Sequence, residues 1–335
     1  MAINRSAVKA MLPLIPLAVL PFLTSSGPLL DLLVWIFIWS AVAIGWNLTG
    51  GFANMISLGH AAFFGIGAYT STLLYLTWDV SPWVGAVMGA LLATSLGVSI
   101  GVATLRLRGP FFVLATLAIG EVLRIAAIQW RGLTRGSEGL SIPYEPSLAN
   151  MIFTERRSYA VLGWFLLSIG IAATTWVQHS RHGYYLKAVG GNEDAAATLG
   201  VNLMSAKLLG LGLGAAITSL AGTMYAQYIL FIEPNALFGV PVSIEAAIIP
   251  IIGGLGTVWG PVLGAFLVVP VSHELRALFG GGLAGAHLLI YGFVLIIVVF
   301  FLPQGLLVFA QEKLSWARRR IRGDRAETME DSSAS

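Results

Sequence analysis

Ser57-Leu58-Gly59-His60-Ala61-Ala62-Phe63-Phe64-Gly65-Ile66-Gly67-Ala68 opens one apolar stretch of this chain, and Ser243-Ile244-Glu245-Ala246-Ala247-Ile248-Ile249-Pro250-Ile251-Ile252-Gly253-Gly254 opens another. Four of the twelve aligned positions are identical and most of the others are apolar in both. A membrane helix takes about 20 mostly apolar residues to cross about 30 Å of hydrocarbon. That ruler marks ten stretches, at 11–23, 29–48, 55–76, 83–102, 109–130, 159–178, 207–230, 243–259, 260–279 and 284–302. The two quoted segments fall in the third and the eighth, which run in opposite directions if every stretch crosses. The expected fold is therefore an all-α polytopic membrane protein of about ten transmembrane helices with an inverted-topology internal repeat. Transporters place their path at such a repeat interface, and glycine-interrupted segments in matching halves point to it. On that ground the candidate path residues are Ser57, Gly59, His60, Gly65, Gly67 and Tyr69 in the first half. Ser243, Glu245, Gly253, Gly254 and Gly256 are their counterparts in the second.

Composition agrees with a membrane protein. Of 335 residues, 57% are apolar and 10% charged, with mean hydropathy +0.83. Ordinary soluble domains are about 45–50% apolar and about 25% charged, so too few polar side chains exist to coat a soluble globule. Cysteine is absent, which excludes disulfides, thiolate metal sites and cysteine nucleophiles. A net charge of +3 is too mild to suggest nucleic acid as a partner. No Gly-x-x-x-x-Gly-Lys-[Ser/Thr] phosphate loop occurs, so any ATP hydrolysis belongs to another polypeptide. No nucleophile–base pair or metal-ligand cluster stands out, so the expected catalytic, metal and cofactor sites are none. Gly97-Val98-Ser99-Ile100-Gly101 matches a hydrolase nucleophile elbow, but it sits mid-span without His or Asp partners.

Orientation follows from the basic residues, which gather in cytoplasmic loops. With the N-terminus inside, Arg5, Lys9, Arg106, Arg108, Arg181, Lys187 and Lys207 fall in the cytoplasm, as do the six of the tail from Lys313 to Arg325. Arg131, Arg135, Arg156, Arg157 and Arg276 fall outside, and Arg124 lies within the fifth span. Thirteen of nineteen inside puts both termini in the cytoplasm of a multi-pass protein. The first stretch follows Arg5 and Lys9 as a signal peptide would and is broken by Pro13, Pro16 and Pro21. It is read as a retained span, because nothing soluble follows that would need export.

Glycines four apart (Gly85/Gly89, Gly97/Gly101, Gly210/Gly214 and Gly260/Gly264) suit close helix packing, the force that must hold helices together in lipid. Intramembrane charges are few. Glu121 and Arg124 lie one turn apart and read as a self-neutralising pair. His60 reads first as a packing histidine and second as a gate. No chain of Asp, Glu or His crosses the membrane, as a proton-coupled carrier would normally require.

The segment from Ser180 to Val201 has local structure of its own. Asn192 suits a helix N-cap, Glu193 and Asp194 complement the helix dipole, and Gly200 suits the stop. A rigid handle for a partner and an ordinary amphipathic connector are both open readings. Leu107-Arg108-Gly109-Pro110-Phe111-Phe112, Gly136-Ser137-Glu138-Gly139-Leu140, Ile252-Gly253-Gly254-Leu255-Gly256-Thr257 and Phe301-Leu302-Pro303-Gln304-Gly305-Leu306 complete a distinctive set with Ser57–Tyr69 and Asn192–Gly200. From about Asn47 to Leu306 the chain resembles the LivM-type permease subunit of branched-chain amino-acid ABC importers. It departs from that family's usual Thr-Gly-Gly-Ser-Glu-Gly at Thr134-Arg135-Gly136. It also departs from the usual Arg-Glu-Asn before the loop's Ala-Ala, where this chain has Gly190-Gly191-Asn192-Glu193-Asp194.

The resemblance implies a heteromer of this chain, a LivH-like second permease, two cytoplasmic ATP-binding subunits and an extracytoplasmic solute-binding protein, set in the lipid of the bacterial inner membrane. It implies ATPase coupling through Arg181, Gly183, Asn192, Glu193, Asp194 and Gly200. The expected layout is 1–28 for the cytoplasmic N-terminus and first span, 29–310 for the permease core with its coupling loop at 179–206, and 311–335 for a basic tail. Cargo would be branched-chain or related neutral amino acids. Urea, short amides or small carboxylates form the alternative, and an ion-coupled secondary carrier is the rival class.

Overall fold

The computed structural model describes residues 10–104, 106–279, 292–293 and 305–307. Within them the chain is helical apart from loops and one two-stranded ribbon. The helices are α1 (Leu14–Leu23), α2 (Gly27–Gly50), α3 (His60–Trp78), α4 (Pro82–Thr104), α5 (Pro110–Gln129), α6 (Arg131–Thr134), α7 (Arg156–His179), α8 (Arg181–Gly191), α9 (Glu193–Thr198), α10 (Leu203–Ile229), α11 (Pro234–Phe238), α12 (Val240–Gly253) and α13 (Gly260–Phe279). Strand β1 (Leu140–Ser141) pairs antiparallel with β2 (Phe231–Ile232), Leu140 opposite Ile232.

Among the described residues, six segments are long and apolar enough to cross a membrane: α2, α4, α5, α7, α10 and the run Pro234–Gly253 that contains α11 and α12. The chain is thus a mostly helical, polytopic membrane protein. α3, rich in hydroxyl and ring side chains, is 19 residues long but is not among the six. α1, which runs on through Pro16 and Pro21 rather than breaking there, and the part Gly260–Leu275 of α13 are shorter apolar helices. Two expected spans have an end displaced by five residues or more. The third begins at His60 rather than 55, because residues 51–59 return as a non-helical linker. The eighth stops at Gly253, where Gly254 takes φ +129° and breaks the helix. The expected tenth span at 284–302 lies outside the described residues except for 292–293.

α2 and α10 form the centre. α2 packs against α7, α10, α12 and α13, while α10 also packs against α3 and α4. Trp46, Phe37, Phe64, Ile44, Leu167 and Met224 are wholly buried between them. Lipid supplies no hydrophobic drive between helices, so backbones must approach for dispersion to hold them. They do so at glycines. A Cβ at Gly214 would lie 2.5 Å from the Gly45 carbonyl oxygen, and one at Gly222 would lie 2.0 Å from that of Phe64. The buried face of α4 is a glycine and alanine stripe, Gly85, Gly89, Ala93, Gly97 and Gly101. Its other face, with Val84, Val87, Leu91 and Leu92, is exposed.

Candidate functional site

The linker 51–59 delivers the first repeat segment to the start of α3, where the opening N–H groups of a helix lack partners in the helix itself. Ser243 of α12 supplies one, and Ser57 and Thr116 hold the two residues just before the helix. Gly59 N–H donates to Ser57 Oγ at 3.2 Å, Leu58 N–H to Thr116 Oγ1 of α5 at 3.1 Å, and Ala61 N–H to Ser243 Oγ of α12 at 2.9 Å. The two similar segments therefore meet at their N-terminal ends, through a buried hydroxyl.

Beyond that junction they diverge. His60 is fully buried, edge-on to Phe63 with centroids 5.5 Å apart, its Nε2 3.4 Å from Thr49 Oγ1. Tyr69 stacks on Phe238 at 5.7 Å, and a Cβ at Gly65 would strike the same ring at 2.5 Å. Gly67 faces away from Phe238, toward the Ser219 carbonyl of α10. In the second segment, Gly253 abuts Gly260 of α13, while Gly254 and Gly256 (φ +65°) form the turn after α12. Glu245 lines a cavity of about 550 Å³ with Trp35, Trp39, Phe64, Tyr225 and His273. It is the one candidate path residue among the described lining.

A residue that sequence reasoning missed holds that turn. Asn47, buried in α2, donates Nδ2–H to the Thr257 carbonyl at 2.9 Å and accepts Gly256 N–H on Oδ1, also at 2.9 Å. An amide alone in an apolar span is the signal that could have found it.

α5 stands against the junction with Phe112, Thr116, Gly120 and Ala127 buried. Glu121 and Arg124 form the expected pair: Arg124 Nε donates to Glu121 Oε2 at 2.9 Å and Nη2 to Oε1 at 2.5 Å. Arg124 also reaches across to α11, donating Nη1–H to Asn235 Oδ1 at 2.5 Å.

The candidates of the 179–206 loop lie on α8 and α9. Ser180 caps α8 by accepting Gly183 N–H at 3.2 Å, and a Cβ at Gly183 would lie 1.7 Å from the Val177 carbonyl oxygen. Gly183 therefore lets α8 turn back on α7. Arg181 opens α8 and is exposed. Asn192 caps α9 by accepting Ala195 N–H at 3.0 Å, and Gly200 ends it with φ +80°. Glu193 and Asp194 are drawn into an ion cluster that spacing along the chain could not show. Lys207, its side chain 4% exposed, lies 2.6 Å from Glu193. Arg108, from the loop before α5, meets Asp194 at 2.9 Å and Glu193 at 3.5 Å. The hydrogen bond and charge of Asp194, then the charge of Glu193, raise the Arg108 pKa above its ordinary value. Beside the cluster is a mostly apolar cavity of about 450 Å³, lined by residues 54–56, 107–110 and 112–114 with Glu193 and Lys207. Among the described residues no group of three or more His, Asp or Glu could hold a metal ion.

Comparison with known proteins matches residues 29–299 to the family described as branched-chain amino acid transport system / permease component. The LivM permease protein of the high-affinity branched-chain amino acid transport system of Escherichia coli K12 is 27% identical, over 97% of this chain and 81% of that protein. The LivH permease protein of Salmonella typhimurium is 26% identical over 80% of this chain and 91% of its own length. The ribose import permease protein RbsC of Escherichia coli K12 is 25% identical over 64% of this chain and 70% of that protein. No solved structure matches. The match spans most of the bundle, including the repeat junction, α5 and the α8–α9 loop, and the chain belongs to the branched-chain amino acid transport permease family, a LivM-type subunit of ABC transporters that is not an enzyme and leaves ATP hydrolysis to a separate subunit.

Proposed function

We propose that this chain is one of two permease subunits in an inner-membrane importer of branched-chain or related neutral amino acids. A LivH-like chain would form the other half, two cytoplasmic ATP-binding subunits would drive it, and an external binding protein would deliver cargo. Similarity to LivM over nearly the whole chain carries the reading. The ten-span topology, with an inverted repeat and both termini cytoplasmic, belongs to the same proposal.

The structure supports a division of labour. α9 is a short capped helix clamped by Glu193 and Asp194 to Arg108, at the base of α5. A push on α9 from an ATPase, received along Arg181, Gly183 and Asn192–Gly200, would reach α5 through that clamp. α5 in turn leans on the repeat junction through Thr116, so the path would run along Ser57–Tyr69 and 243–256 as the halves rock.

Reconstitution tests this. The four protein types together in proteoliposomes should take up leucine with ATP inside, and this chain alone should neither hydrolyse ATP nor accumulate leucine. Uncoupler-sensitive uptake by the single chain would establish the secondary-carrier reading instead. Uptake of urea or short amides, with leucine ignored, would assign the alternative cargo.

A further inference from the structure

α5 is the least buried of the six candidate spans, 22% of its apolar window against 67% for α2. One stripe, Phe112, Thr116, Gly120 and Ala127, packs on the bundle. The opposite stripe, Phe111, Leu114, Ala118, Val122 and Ile125, is exposed. An exposed apolar stripe alone would suit lipid. The shoulder between the two stripes does not, because it carries Glu121 and Arg124 with side chains 36% and 26% exposed.

Glu121, with its short side chain, sits near the middle of α5, and Arg124 folds back on it rather than toward the helix end five residues on. Glu121 lies eleven residues after Pro110 and eight before Gln129. Ionised groups facing hydrocarbon are expensive, and in membrane proteins they face a bundle interior or a water-filled cavity. The pair is also fixed in place. Arg124 donates to Glu121 through Nε and Nη2 and to Asn235 of α11 through Nη1. Those bonds use three of the five N–H donors of a guanidinium. A carboxylate can accept more than two bonds, so Glu121 also keeps capacity for a donor.

We propose that Glu121, Arg124 and Asn235 form a transient recognition site for the zwitterionic head group of an α-amino acid, on a water-lined face of α5. This rests on the importer reading above and adds a cargo contact on the outer side of α5, separate from the path along Ser57–Tyr69 and 243–256. The cargo carboxylate would meet the remaining Arg124 donors and its ammonium group would meet Glu121. Ala118, Val122 and Ile125 would receive a branched apolar side chain. A second permease chain would supply the facing wall. Because the site is a neutral pair already bonded to itself, its hold on cargo is weak, as passage requires.

The absence of cysteine makes thiol probing clean in this chain. In the full reconstituted importer, single cysteines at Ala118→Cys and Val122→Cys should react with a membrane-impermeant sulfonate reagent. Reaction should slow during turnover with leucine-loaded binding protein. Leu92→Cys, on the exposed apolar face of α4, should react only with a lipid-soluble maleimide. Glu121→Gln and Arg124→Lys should each lower leucine uptake per ATP hydrolysed by about tenfold, the scale of one lost charge-assisted contact. If residues 118 and 122 label like residue 92, or both charge variants pump leucine at the wild-type ratio, the site is wrong while the importer reading stands. A wild-type importer that ignores leucine would overturn both.

Discussion

Glu193 and Asp194 are adjacent acids with unequal surroundings. Glu193 faces the ammonium of Lys207, whose side chain is almost wholly buried, whereas the Asp194 side chain is 78% exposed. Removing one partner of a buried pair costs about 3–5 kcal/mol, because the remaining charge stays desolvated. Exposed pairs contribute about 0–1 kcal/mol. Glu193→Ala should therefore lower the thermal unfolding midpoint in detergent markedly, and Asp194→Ala should leave it nearly unchanged. Adding Lys207→Leu to Glu193→Ala should recover most of the loss. Equal shifts for the two single variants would mean that Lys207 finds another partner. The acids themselves were legible from the chain as N-terminal residues of a capped helix. Their partners were not, since Arg108 and Lys207 reach them only through folding.

At the scale of elements, α9 is where local rules predict best. Asn192 caps it and Gly200 ends it, because capping and left-handed stops depend on neighbours a few residues away. A Cβ at Gly200 would meet nothing within 4 Å, yet its φ is +80°. Gly200→Val thus introduces backbone strain of about 1–2 kcal/mol without a clash. The variant should insert and assemble with its partners but hydrolyse ATP with little leucine uptake. Normal coupling in Gly200→Val would move the ATPase contact elsewhere, with the exposed start of α8 the next place to look. Helix ends were less legible at 51–59 and 254–259. Trp46, with its Nε1–H on the Ser57 carbonyl, and Asn47, with its bonds to Gly256 and Thr257, hold those loops from a distance.

For the whole molecule, the basic-residue balance and the alternating helices predict both termini in the cytoplasm. Reporter fusions after residue 190 and at the C-terminus should read cytoplasmic, and one at residue 145 should read external. An external C-terminus would leave an odd number of crossings and end the ten-span topology. Amino-acid sequence by itself determined the membrane class, where most helices lie, the break at the glycines after Gly253, and the caps of α9. Each of these depends on apolarity or backbone preference within a few residues. Tertiary structure alone decided that α2 is central and α5 peripheral, that Ser243 caps α3, that Asn47 holds the turn after α12, and that Arg108 ties α9 to α5. The reason is physical. Lipid and protein interior are both apolar, so hydropathy marks a span without ranking its burial. Only packing shows which face of a span is covered, and so which half-exposed charges need an aqueous neighbour.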